Sequence, residues 1–202
     1  MRVMTCLHPD EGLRLIRAIK KADGLPLCRP SELYLIYSLA KAQGALAGEF
    51  AEVGVYQGST AQLLCEIKGQ RELHLFDTFQ GLPPVEDADC HYSEGMFAAE
   101  LEQVRKRLAH YGQVFFHAGL FPQTATAVTH TQFSFVHLDA DLYQSTKDAL
   151  EFFYPRLIPG GIILTHDHPT GQGVSRAFSE FLTHKPETLI QLPLAQGMII
   201  KQ

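Results

Sequence analysis

Acids and glycines recur where the apolar runs of this chain end. FAEVGVYQGSTA places Glu52, Gly54, Gly58 and Ser59 in and after one run, ELHLFD ends on Asp77, and QVFFHAG ends on His117, Ala118 and Gly119. Asp139 and Asp141 close FSFVHLDAD, and IILTH leads into His166, Asp167 and His168. In an open α/β sheet, ligands bind beyond the carboxyl ends of the strands. Polar groups at five such ends therefore predict one shared rim. Asp77 stands at the distance where an acid accepts hydrogen bonds from ribose hydroxyls, which predicts an adenosine-type ligand. The first loop reads E-x-G-x-x-x-G, so the pyrophosphate cradle of G-x-G-x-x-G is missing, and no G-x-x-x-x-G-K-[ST] loop occurs. A phosphate-free adenosyl compound with positive charge near the loop fits better, and S-adenosylmethionine is one. Its amino and sulfonium groups favour carboxylates, and its methionine end needs the close backbone approach that glycine permits. Any one of these features could be an ordinary turn or helix cap; their joint spacing favours the ligand.

The elements that must position these residues alternate short apolar runs with helical segments, which predicts an α/β fold with a mainly parallel sheet. A helix is expected from Ser31 to Gln43, capped by Ser31, with Leu33, Ile36, Leu39 and Ala40 on one face. A strand follows over Phe50 to Val55. Ser59 reads as the cap of the next helix, with Gln62 completing a capping box and Leu63, Leu64 and Ile67 as its buried stripe. Residues 79–96 carry Pro83, Pro84 and the acids Glu86, Asp87, Asp89 and Glu94, and read as a lid loop. Helices are expected over Phe97 to His110, from a cap at Ser145 through Tyr154, and near Ser175 to Thr183. Pro159-Gly160-Gly161 reads as a tight turn into the strand IILTH, and GMIIK as a last strand. The whole is one doubly wound domain, 1–202, with a helical N-terminal extension over 1–48.

A chain of 202 residues supports one sizeable core. Its net charge of −5, with no basic run, argues against a nucleic-acid partner. No apolar stretch has the length of a membrane span, and no signal-peptide profile opens the sequence. Cys6, Cys28, Cys65 and Cys90 lack the paired spacing of zinc or redox motifs, so a reduced cytoplasmic protein is expected.

AEVGVYQGSTA, LFDTFQGLP, AGLFPQT, HLDADLYQSTKDALEFFYPRLIPGGIILTHD and GQGVSRAFSEF together resemble the macrocin-type O-methyltransferases, class I S-adenosylmethionine-dependent enzymes with a Rossmann-like sheet. The resemblance runs in order from about Phe50 to Phe181, and is most specific from Asp139 to Gly161. It implies methyl transfer to a hydroxyl of a small sugar- or phenol-containing acceptor. It places Glu52 and Gly54 at the methionine end of the cofactor, with Gly58 and Ser59 completing that loop. Asp77 is placed at the ribose, and Ala118 and Gly119 near adenine. Asp139 becomes a metal ligand, a cofactor neighbour and a candidate base. The family pattern has two adjacent aspartates after the fifth strand; here those positions are His166 and Asp167. Two carboxylates suit Mg²⁺, whereas a histidine tilts the set toward Mn²⁺, Fe²⁺ or Zn²⁺, or leaves the site without metal. The metal expected on Asp139, His166 and Asp167 is thus Mg²⁺ or Mn²⁺. Asp139, His168 and His137 are the candidates for the base, with Asp141 behind them. Tyr92 and Tyr143 are possible acceptor contacts. A homodimer is the expected assembly. The competing readings are a non-catalytic S-adenosylmethionine-binding protein and a nicotinamide-dependent oxidoreductase on the same architecture.

Overall fold

The computed structural model describes residues 10–23, 28–85 and 89–202. Glu49–Val53 (β1), Leu73–Asp77 (β2), Val114–Ala118 (β3), Phe133–Leu138 (β4), Leu157–His166 (β5), Ile190–Gln191 (β6) and Gln196–Ile200 (β7) form one sheet, ordered β3-β2-β1-β4-β5-β7-β6. The first five strands pair in parallel, while β7 joins β5 and β6 antiparallel. All six residues of β4 are buried, as expected of a central strand covered on both faces.

Successive strand residues point to opposite faces, and two cores follow from this alternation. Phe50, Leu75, Phe135 and Leu164 face Glu11–Asp23 (α1), Pro30–Gln43 (α2), Ser59–Ile67 (α3) and Leu101–Leu108 (α4). Ala51, Phe76, Val136 and Ile163 face Tyr143–Phe153 (α5) and Gln172–Leu182 (α6). The strand order reverses at β1 and β4, so their carboxyl ends open a crevice at the switch point. The doubly wound sheet and the helical N-terminal extension are therefore present. Residues 1–9 and 24–27 of that extension, with Cys6, lie outside the described residues.

Several expected boundaries move. Helix α2 starts at Pro30, with Arg29 in the cap position and its N–H donated to Glu32 Oε2 at 2.6 Å, so Ser31 is not the cap. Gly58, in the left-handed region at φ +80°, takes the cap position of α3, and Ser59 is its first helical residue. Helix α4 is shorter than expected: Phe97 adopts φ +60° and Glu100, in the cap position, is extended at ψ 117°, so the helix starts only at Leu101. Helix α5 begins at Tyr143, two residues before Ser145, because Asp89 Oδ2 accepts the Tyr143 N–H at 2.8 Å. Pro159-Gly160-Gly161 lies inside β5 as an irregularity: the ladder skips from Phe133↔Leu157 to Phe135↔Ile162. The bonds of Gly160 N–H to Lys201 O (2.8 Å) and Lys201 N–H to Gly161 O (2.9 Å) hold it in the sheet.

Candidate active site

The crevice is built from backbone before any side chain enters it. Gly54 follows β1 with φ +86° and donates its N–H to Phe76 O at 2.9 Å. Asp139 follows β4 and donates its N–H to Val53 O at 2.8 Å. A Cβ at Gly54 would overlap the Asp139 carbonyl oxygen and stand 2.7 Å from its carbon. Glycine lets the two strand ends touch. Asp77 braces the turn: Oδ2 accepts the N–H groups of Val55 (2.7 Å) and Tyr56 (2.8 Å), and Oδ1 that of Phe79 (2.6 Å). A carboxylate offers about four lone-pair sites, so roughly one remains for a ligand hydroxyl.

These turns open on a cavity of about 290 Å³. Gly54, Ser59, Asp77 and Gly119 lie on its wall, as do Asp139, His166 and Asp167. Glu52, Gly58, Ala118 and His168 do not. Glu52 is fully buried in β1 beside His137, its register partner on β4, with Oε1 3.0 Å from His137 Nδ1. Burial, helped by the nearby Asp139 and Asp77 charges and opposed by His137, pushes Glu52 up to about 7. Gly58 faces Val104, and Ala118 is the last residue of β3, one short of the wall. Asp167 adopts φ +59°, and this turn sends His168 away from its two neighbours. His168 Nδ1 lies 3.1 Å from Ser175 Oγ, and its ring packs beside Gly197. The base expected at His168 is therefore misplaced for chemistry in this cavity.

The same cavity wall carries an acidic cluster. His166 Nδ1 is 3.3 Å from Asp139 Oδ1 and 3.3 Å from Asp167 Oδ1, while Nε2 is buried, 3.7 Å from Glu32 Oε2 and without a hydrogen-bond partner. Burial opposes charge on His166, but Asp139 and Asp167 raise it to about 12. Burial pulls Asp139 the other way, yet the His166 charge holds it below the usual aspartate value. Asp141, on the same wall, is pushed up to about 9 by burial and by the charges of Asp139 and Asp167.

The cluster fits a divalent ion. Ligand atoms of Asp139, His166 and Asp167 all lie within 4.8 Å of one another. Ligands at about 2.1 Å, set at angles of about 90–110°, stand about 3.0–3.4 Å apart, and the two 3.3 Å separations fall in that range.

Cys28, Glu32 and Asp141 were missed or underweighted from sequence. Cys28 lines the cavity as a thiol held protonated, pushed up to about 12 by burial and then by Asp139. Glu32 had a readable signal: it sits four residues before Ile36, an acid on the apolar stripe of its helix. Within 79–96, residues Glu86 and Asp87 lie outside the described residues. Ala88 lies outside them too, and of the described part Gly81, Leu82, Pro83, Tyr92 and Met96 line the cavity together with Phe97, with the Leu82 N–H donated to Met96 O at 2.8 Å. Tyr143 is buried outside the cavity wall, its hydroxyl donating to Glu180 Oε2 at 2.6 Å, so it is no acceptor contact in this arrangement.

The macrocin-O-methyltransferase (TylF) family model matches residues 38–196. An 8-demethyl-8-(2,3-dimethoxy-alpha-L-rhamnosyl)-tetracenomycin-C 4'-O-methyltransferase of Streptomyces olivaceus is 32% identical over 167 residues, covering 74% of this chain and 60% of that protein. The mycinamicin III 3''-O-methyltransferase of Micromonospora griseorubida is 29% identical over 169 residues, 74% of this chain and 63% of that protein. The chain thus spans less than two thirds of the length of these curated relatives. Among solved structures, the O-methyltransferase NovP superposes with a TM-score of 0.75 at 23% identity, over 83% of this chain and 78% of that one. No helix among the described residues is long and apolar enough to cross a membrane.

Proposed function

This chain belongs to the macrocin-O-methyltransferase family, and on that premise we propose that it transfers the methyl group of S-adenosylmethionine to a hydroxyl of a small sugar- or phenol-containing molecule. One observation carries the reading: a single cavity is lined both by the amide-braced Asp77 turn and by the Asp139–Asp141–Asp167 cluster. The turn suits the adenosyl and methionine ends of the cofactor; the cluster suits an acceptor hydroxyl that must lose a proton. Adenine fits between Gly119, Leu120 and Phe121, with ribose on Asp77 and the methionine end against Gly54 to Tyr56. The acceptor then lies under Tyr92 and Phe97, whose rings meet edge to face at 6.4 Å.

In methyl transfer the acceptor oxygen forms a bond to the methyl carbon while the carbon–sulfur bond breaks and S-adenosylhomocysteine departs. The carbon is already activated, so the protein mainly positions the partners and accepts the proton. Asp139 and Asp141 both line the cavity; Asp139, held ionised beside His166, is the one free to accept a proton at neutral pH, whereas Asp141, pushed up to about 9, already carries one. Asp139, His166 and Asp167 would hold a divalent ion, which when bound supplies Lewis-acid polarisation of the acceptor oxygen.

Calorimetry with S-adenosylhomocysteine, combined with a labelled-methyl assay over glycosides and catechols, tests this. Asp77→Ala should weaken cofactor binding; Asp139→Ala should bind nearly normally and not turn over. Cofactor heat with no transfer to any acceptor would point to a binding protein, and stabilisation by NAD but not by S-adenosylhomocysteine to an oxidoreductase. Normal turnover by both variants overturns the site assignment.

A further inference from the structure

His166 stands where the resemblance given above implies an aspartate, and its surroundings give that exchange a direction. We infer that Glu32 on α2 is a positioning residue that presents the Nδ1 face of His166 to Asp139 and Asp167, and so sets this chain's ligand set for a borderline transition ion (Mn²⁺, Fe²⁺, Co²⁺ or Zn²⁺) over Mg²⁺. The inference rests on the metal-assisted reading above.

The two ring nitrogens of a histidine point in different directions, and only the one without a proton can bind an ion. Which nitrogen that is depends on what the other one meets. Here Nδ1 faces Asp139 and Asp167 at 3.3 Å each, the side open to the cavity. Nε2 is buried and has no hydrogen-bond partner, and the carboxylate on its side is Glu32, with Oε2 at 3.7 Å. A buried N–H left unpaired costs about 1–3 kcal/mol. A shift of a few tenths of an ångström would close this contact into a hydrogen bond to an ionised acceptor. Glu32 is well held for the purpose. It is only 3% exposed, and the same Oε2 already accepts the Arg29 N–H at 2.6 Å, so the cap of α2 fixes the carboxylate.

The result is an outer carboxylate that takes the imidazole N–H and turns the other nitrogen toward the ion, the arrangement that orients most metal-binding histidines. Such a set offers one nitrogen and two carboxylate groups. Mg²⁺ prefers oxygen alone and keeps its waters, whereas imidazole suits the later first-row ions. Glu32 also lies before residue 38, where the family match begins. The orienting group thus comes from a part of the chain that the family pattern does not cover.

The test uses the full chain with Mn²⁺ as probe, followed by continuous-wave and pulsed electron paramagnetic resonance, with Mg²⁺ as competitor. Wild type should show one directly coordinated ¹⁴N, and His166→Asp should lose it while gaining affinity for Mg²⁺. Glu32→Ala should lose about 10–100-fold in Mn²⁺ affinity. Glu32→Gln keeps an oxygen for Arg29 and His166 but no charge, so it should fall at the low end of that range with the nitrogen coupling intact. The Gln variant decides the matter if Glu32→Ala does not fold. Absence of nitrogen coupling in wild type, or unchanged Mn²⁺ affinity in the folded Glu32 variants, overturns the inference. S-adenosylhomocysteine calorimetry on the same samples separates the two readings. Cofactor heat without nitrogen coupling sinks only the metal inference; nitrogen coupling without cofactor heat sinks only the functional reading.

Discussion

Gly54→Ala probes the close approach on which the crevice depends, and its cost can be worked out in two parts. A non-glycine residue in the left-handed region costs about 1–2 kcal/mol, and Gly54 sits there at φ +86°. The added carbon would overlap the Asp139 carbonyl oxygen and stand 2.7 Å from its carbon, both backbone atoms that cannot swing aside as a side-chain end could. Overpacking of this kind costs about 1–3 kcal/mol more. The total is about 2–5 kcal/mol, which for a domain of this size lowers the melting temperature by about 4–20 °C. Two other glycines separate the terms. Gly69 has φ +64° and nothing within 4 Å of a built Cβ, so Gly69→Ala measures conformational strain alone. Gly112 also has open space and no such φ, so Gly112→Ala should stay within about 0.5 kcal/mol of wild type. Thermal unfolding of the three variants, with S-adenosylhomocysteine calorimetry beside it, is the assay. Gly54→Ala should be the least stable and should also lose cofactor affinity, because relief of the overlap must move the backbone that carries Asp139. A Gly54→Ala protein no less stable than Gly69→Ala refutes the reasoning.

Glu52 is pushed up from 4.5 to about 7, so between those values the folded protein holds a proton that the unfolded chain does not. Glu52's contribution to stability therefore falls as pH rises through that window, by about 3 kcal/mol in all; the difference between wild type and Glu52→Gln in melts recorded from pH 4.5 to 8 should carry that slope, and a difference constant with pH counts against it. Asp89→Ala removes the acceptor for the Tyr143 N–H at the start of α5 and should cost about 1–2 kcal/mol in urea unfolding; a loss below 0.3 kcal/mol would mean that water replaces the cap. His168→Ala should leave kcat within about twofold, since the ring faces Ser175 outside the cavity; a loss of 100-fold or more, as expected of a general base, would restore it to the mechanism.

What the sequence made legible was whatever repeats a local rule. Apolar runs ending in acids or glycines located β1, β2, β4 and β5, and placed Gly54, Asp77, Asp139, His166 and Asp167 on one cavity wall. Illegible were facts settled by distant partners. The start of α5 depends on Asp89, 54 residues away, which no window around Ser145 contains. His166, Asp167 and His168 are neighbours in the chain, but the turn at Asp167 sends the third elsewhere. Glu52 looked like a ligand because it ends an apolar run, yet strand alternation and the opposing His137 keep it inside the sheet. Asp77 was read as a ribose acceptor, and three backbone amides claim most of its carboxylate first.

The two ends of the cavity differ in how freely evolution can alter them. On the proposed reading, the cofactor end is main chain braced by one side chain: Gly54, the Val55 and Tyr56 amides bonded to Asp77, and the turn at Gly119 all hang directly from strands whose register the two cores enforce. Apart from Asp77, a side-chain change there alters little unless it moves the sheet. On the same reading, the acceptor end adds to the Asp139–Asp141–Asp167 cluster side chains from elements outside the parallel strands: Cys28 before α2 and Leu82, Tyr92, Met96 and Phe97 on the long connection. Those residues can change shape or polarity while every strand pairing is kept, so one sheet can serve many acceptors with one methyl donor. Exchange of residues 89–97 between this chain and a family relative of known acceptor should accordingly move acceptor preference while leaving S-adenosylhomocysteine affinity within about threefold, or about 0.65 kcal/mol. A graft that changed cofactor affinity and left the acceptor range untouched would place the specificity wall elsewhere.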